Sequence, residues 1–202
     1  MAEIKLTKNE LRAQQIRLGQ LERYLPTLQL NKAQLQQEVL YAKQEIEKAD
    51  QELLERYESV KNFASLLSGD FAVDVDRIAL IDYVETSSEN IAGVEVPIFE
   101  KAHFIPFEYD LFDSPPWIDS AITFIRDLIS CKAALEVAKE KNERLKEELR
   151  QVSIRVNLFE KILIPRANKN IKMIKVFLGD QELAAVSQAK VAKAKIEARK
   201  GR

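Results

Sequence analysis

Leu11 to Leu67 reads LRAQQIRLGQLERYLPTLQLNKAQLQQEVLYAKQEIEKADQELLERYESVKNFASLL, with apolar residues at alternating spacings of three and four. One position of the repeat runs Leu11, Leu18, Leu25, Lys32, Val39, Ile46, Leu53, Val60, Leu67. Its companion runs Gln14, Leu21, Leu28, Leu35, Ala42, Ala49, Arg56, Phe63. About fourteen of these seventeen positions are apolar. A stripe this narrow and this long is a coiled-coil seam, because a 3.5-residue period keeps facing one partner helix as the two supercoil. A helix from Leu6 to Leu67 would be roughly 95 Å long at about 1.5 Å per residue. Thr7 followed by Glu10 predicts a capping box: the hydroxyl accepts an orphan N–H and the carboxylate reaches back.

Outward from this helix the pattern changes at Ser68-Gly69, which breaks the period. Arg77 to Phe112, RIALIDYVETSSENIAGVEVPIFEKAHFIPFEYDLF, is rich in Tyr, Phe, Val and Ile, and Val94, Val96 and Ile98 alternate with their neighbours. This predicts a β-hairpin, with turn chemistry supplied by Ser87 to Asn90. Pro97 and Pro106 restrict its strands to edge positions, and so small a sheet must lean on the helices. Ser114-Pro115-Pro116-Trp117 then opens a second helix of about 80 residues, with serine as cap and proline in the first turn. Its seam runs Phe124, Leu128, Cys131, Leu135, Ala138, Asn142, Leu145, Leu149, Val152, Val156, Phe159, Leu163. The frame slips near Pro165 and resumes at Ile171, Ile174 and Leu178.

Two seams of this length cannot stay in water, and the segment between them is too short to carry the chain back along a long helix. The fold class is therefore mainly α: a long antiparallel two-helix coiled coil with a small β-hairpin region between the helices. Opposing residues have numbers that sum to roughly 185 to 190. Both termini fall at one end and the hairpin at the other. The divisions are 1–68 for the N-terminal helix, 69–116 for the hairpin and loop, and 117–202 for the C-terminal helix, with both helices pairing as one elongated domain. Pro26 and Pro165 come to the same level and are candidate bends, since each deletes a helical hydrogen bond.

Composition agrees. Charged residues make up 31% and aromatics 7% of 202 residues, which suits solvated helices better than a sheet-rich globule. The net charge of −1 gives no global attraction to nucleic acid or an anionic membrane. One cysteine, Cys131, excludes an intrachain disulfide. The first ten residues lack the apolar core of a secretory signal, and no apolar run approaches a bilayer span, so the chain reads as soluble.

Catalytic material is scarce. His103 is the sole histidine, with no cysteine or second histidine nearby to share a metal or a proton. Cys131 falls on the seam, where a small hydrophobe fits. The five glycines are too dispersed for a phosphate cradle. Asp74 with Asp76, and Asp110 with Asp113, read as solvated or capping groups. In the run from Ala138 to Arg150 the pairs Glu140–Arg144 and Glu143–Lys146 have helix-surface spacing. Lys190 to Arg202 is basic but lacks the interleaved aromatics of a nucleic-acid surface. Gln14, Lys32, Arg56 and Asn142 interrupt the seams and are candidates for fixing register and partner.

Arg155 to Leu178, RVNLFEKILIPRANKNIKMIKVFL, resembles the C-terminal signature of the D-subunit family of V-type/A-type ATPases. Arg155, Val156, Asn157, Glu160, Ile164, Pro165 and Arg166 carry that match. Asn90 to Pro97, NIAGVEVP, is similar to the family's hairpin segment and makes Asn90, Ile91, Gly93, Val94 and Val96 candidate contacts. Thr7 to Leu11, TKNEL, resembles its helix start. Two departures stand out: TLQLNKA (Thr27 to Ala33) occupies the place of a basic stretch, and Ala92 that of a methionine.

The resemblance implies a non-catalytic rotor shaft that couples ATP synthesis or hydrolysis to proton or sodium transport. It implies paired helix ends inside a hexamer of catalytic A and B subunits, with a small F subunit on the shaft. A socket subunit lies below, above the membrane ring. It implies no cofactor, no bound metal, no nucleic acid and no membrane insertion, with a peripheral site on the cytoplasmic face. Two other readings compete. A coiled-coil tether or adaptor explains the seams but not the hairpin or the RVN…IPR run. A helical-bundle enzyme would need inward carboxylates and histidines at helical spacing, which the seams do not offer.

Overall fold

The computed structural model describes residues 4–67, 79–109 and 116–200. The expectations at Ser68-Gly69, Asp74, Asp76, Asp110, Asp113 and Ser114-Pro115 lie outside these residues, as do the side chains of Val60, Phe63 and Leu67. The described chain is mainly α, as the seams require. Helix α1 covers Lys8–Leu67, strands β1 and β2 cover Ile81–Ile91 and Val94–Phe104, and helix α2 covers Ile118–Leu158. A π-helical turn, Phe159–Leu163, leads into α3, Ile164–Lys200. These elements form two compact units, Met1–Leu30 with Val152–Arg202, and Asn31–Gln151.

Thr7 caps α1: its Oγ1 accepts the Glu10 N–H at 3.3 Å and its carbonyl accepts that of Leu11. The expected reciprocal half of the box does not form. Glu10 accepts from Gln14 Nε2 instead, while the Thr7 N–H donates to Lys5 O. The carboxylate loses nothing by this, since an amide one turn on is as near as the cap.

In the first unit the α1 face at Leu11, Leu18, Leu21, Leu25 and Leu28 is wholly or partly buried. So are Val152, Val156, Ala167, Ile171 and Ile174 on the returning helix. Lys8 meets Glu182 at 3.4 Å. The second unit repeats the arrangement around Leu35, Val39, Ala42, Leu135 and Leu145. There Lys141 meets Glu45 at 2.9 Å, and Arg56 pairs with Asp127. Each unit is thus an antiparallel pair in the register that the heptads require. Leu35, Leu145, Val152 and Ile174 are the largest side chains to lose contact with water on these helices. Each such burial is worth about 1.5–3 kcal/mol.

Two seam positions differ from expectation. Arg56 is exposed and reaches outward to Asp127, because a guanidinium gains more from water and a carboxylate than from an apolar seam. Phe124 is 41% exposed, whereas Ile118 and Ala121 are buried and Ile125 partly so. Around it Ile118, Ala121, Ile122 and Ile125 are also apolar, so periodicity alone cannot choose which stripe turns inward.

The hairpin also differs. Ser87–Asn90 lies inside β1, paired with Glu95–Ile98, and the turn is Ala92-Gly93. Both residues have positive φ, 52° and 90°, the conformation of the two-residue turn whose twist matches that of the strands. Asn90 Oδ1 accepts the Gly93 N–H at 3.0 Å and closes it. Local turn propensity at Ser87–Asn90 is overruled by the pairing that buries Val96 and Ala102. Rather than standing off the end of the helices, the hairpin lies along α2. Arg126 donates to Ile105 O at 3.0 Å near its base. Arg144 donates to Glu95 O at 3.3 Å near its tip. The Arg126 guanidinium also sits 5.3 Å over the Phe104 ring.

Candidate functional site

The hairpin tip is the first candidate. Asn90 and Ile91 end β1, Gly93 makes the turn, and Val94 and Val96 begin β2. These five do not share one surface. Val96 is fully enclosed in the second unit. Asn90 and Ile91 border a shallow groove of about 490 Å³ with Tyr41, Glu45 and Lys141. Asn90 is occupied in closing the turn.

The RVN…IPR run is the second. Val156 is buried in the first unit, Ile164 half-buried, and Arg155, Asn157, Glu160, Pro165 and Arg166 are exposed. The π turn accounts for the frame slip here. Pro165 has no N–H to offer the preceding turn, and its ring crowds the carbonyl one turn back. The chain widens instead, and Ile164 N–H bonds to Phe159 O, five residues back. A step from Val156 to Ala167, both buried, inserts four residues into the heptad frame and calls for local under-winding, which the wider turn supplies. Pro26 lies inside α1, in the same unit as Pro165.

Reactive groups are tied into structure. His103 Nε2 lies 3.0 Å from Glu85 Oε2 across the hairpin, and its ring stacks on Tyr83 with centroids 4.3 Å apart. Cys131 is half-buried. The Tyr109 hydroxyl donates to Asp119, and that bond, followed by desolvation and the carboxylate charge, raises its pKa above the ordinary 10.0. Glu140–Arg144 and Glu143–Lys146 close at 2.7 and 2.6 Å on α2, and Arg144 also reaches the hairpin. Among the described residues no group of three or more His, Cys, Asp or Glu is placed to hold a metal. No described helix is long and apolar enough to cross a membrane.

In the first unit two buried positions stand outside the expected seam, Ala167 and Asn170. Spacing of three and four from Ile174 back to Asn170 and Ala167 is the signal that finds them, once the slip at Pro165 is allowed for.

What these elements define is a structural protein built of antiparallel helix pairs with a side-mounted hairpin. The family model for the ATP synthase D subunit matches residues 10–194. The V-type ATP synthase D subunit of Chlamydia pneumoniae is 44% identical over 201 residues, covering 99% of this chain and 96% of the relative. That of Chlamydia felis is 46% identical over 202 residues, covering 98% and 96%. The chain belongs to the D-subunit family of ATP synthases, as a non-catalytic component of the central stalk of a V-type ATP synthase.

Proposed function

We propose that this stalk component is the rotor shaft, transmitting torque between a ring of catalytic A and B subunits and an ion-carrying membrane ring. The observation that carries this is the buried apolar seam in each unit, spanned by an ion pair from helix to helix, Lys8–Glu182 in one and Glu45–Lys141 in the other. Paired helices locked by interdigitated side chains resist twisting and bending far better than one helix does. For torque to pass, both units must turn as one elongated body, and this is part of the proposal.

The small F subunit and the socket subunit are proposed neighbours, on the cytoplasmic face, with proton or sodium as the coupled ion. The hairpin tip at Asn90, Ile91 and Val94 is the proposed contact with a neighbour, and the exposed Arg155 and Asn157 face the surrounding ring. Pro26 and Pro165 are proposed to give the bend that lets three similar subunit pairs feel different faces in turn.

Affinity purification of the tagged chain from its own cells tests this. Recovery of the hexamer and a small F-like subunit is expected. Purification free of both, with unchanged membrane ATPase after deletion, refutes the rotor.

A further inference from the structure

Between the first turns of α1 and the start of α3, wholly inside the first unit, lies a cleft of about 430 Å³. The small, buried Ala167, shortly after the π turn, is among its lining residues. Lys5, Arg17 and Arg166 line it, and none of the three forms an ion pair among the described residues. Among the described lining residues the one carboxylate, Glu10, accepts from Gln14 Nε2 at 2.9 Å. Asn170 also lines the cleft. It is only 8% exposed, yet its side-chain amide has no hydrogen-bond partner among the described residues.

The Asn170 amide is not sealed from solvent, so the cleft leaves it open to a ligand, and cations around one small volume repel one another. One anion would accept from the amide and offset the repulsion. Among the described lining residues three cations less one carboxylate leave two positive charges, which a phosphate's charge of about −1.5 to −2 at neutral pH balances and a lone carboxylate does not. Guanidinium groups also match its oxygens in geometry.

We propose that this cleft is a binding site for a phosphate-type oxyanion, held by Arg17, Arg166 and Lys5 and oriented by the Asn170 amide. The site is independent of the rotor reading. It assigns a role to the Ile164-Pro165-Arg166 motif, whose proline favours the wide turn and whose arginine faces the ligand.

The test is nuclear magnetic resonance of the isotopically labelled full chain, titrated with inorganic phosphate at constant ionic strength. The Asn170 side-chain amide is expected to shift saturably. Arg166→Gln should weaken binding by about tenfold, the loss of one charge-assisted hydrogen bond, and Arg12→Gln, outside the cleft, should leave it unchanged. Ala167→Leu should abolish binding; because Arg166 is exposed, Arg166→Gln keeps the test decisive if the leucine variant folds poorly. ADP in place of phosphate separates the two sources of the anion. A stronger shift with ADP assigns a nucleotide, a weaker one the free ion, and both retain the site. No shift at Asn170, equal affinity in Arg12→Gln and Arg166→Gln, or an equal response to acetate overturns it.

Discussion

Replacing Asn142 with leucine should make the protein more stable. Asn142 sits in the α2 seam, 5% exposed, and its Oδ1 has no hydrogen-bond partner. An unsatisfied buried acceptor costs about 1–3 kcal/mol. Leucine branches at the same carbon and carries no polar atom, so Asn142→Leu removes that cost and adds apolar burial at about 25 cal/mol per Å². Opposing this, two methyls are bulkier than the amide atoms, and overpacking a filled core costs about 1–3 kcal/mol. Leu145, one turn along, is fully buried, but the Lys141 side chain beside it is 15% exposed and can yield. We expect a net gain of about 2 kcal/mol, equivalent to ~4–8 °C for a chain of this length. Asn142→Ala separates the contributions: it removes the acceptor but opens a void, so its stability should change by less than about 1 kcal/mol. Urea unfolding followed by circular dichroism measures both, with equal m-values required for the comparison. If the leucine variant is no more stable than the parent, and the alanine variant loses more than about 2 kcal/mol, the amide is satisfied in solution and the reasoning fails.

Leu145→Ala should cost about 2–5 kcal/mol, whereas Leu183→Ala, at a position 69% exposed, should fall within about 0.5 kcal/mol of the parent by the same unfolding assay. Ala92→Gly relieves a left-handed alanine and should slow hydrogen exchange across the hairpin, a gain of up to about 1 kcal/mol; Ala92→Val should speed it. Asp119→Asn should lower the Tyr109 pKa toward 10.0 in a spectrophotometric titration, because it removes the carboxylate charge and leaves only a weaker, neutral amide acceptor. Folding favours the protonated phenol, so its contribution is complete below pH 10.0 and is lost as pH rises through the higher folded value.

Much of the fold is legible in the chain itself. A 3.5-residue apolar period leaves one solution for two long stripes joined by a short link, which is why Leu21, Leu35, Val39 and Ala42, or Leu135, Leu145, Val152 and Val156, are buried as the heptads require. The cap at Thr7 and the ion pairs on α2 are equally local, because each partner lies within one helical turn. The RVN…IPR and NIAGVEVP runs are legible as motifs, but not the conformations they adopt.

Tertiary structure decided the rest wherever two local preferences were close in energy. Ser87–Asn90 has turn-forming residues, yet burial of Val96 and Ala102 sets the strand register and moves the turn to Ala92-Gly93. Phe124 is as apolar as its neighbours, and only packing placed Ile118 and Ala121 inward instead. The cleft could not be foreseen from spacing, since Lys5, Arg17, Arg166 and Asn170 come from opposite ends of the chain. They meet only because the helices pair antiparallel and the π turn carries Ala167 and Asn170 onto the buried face.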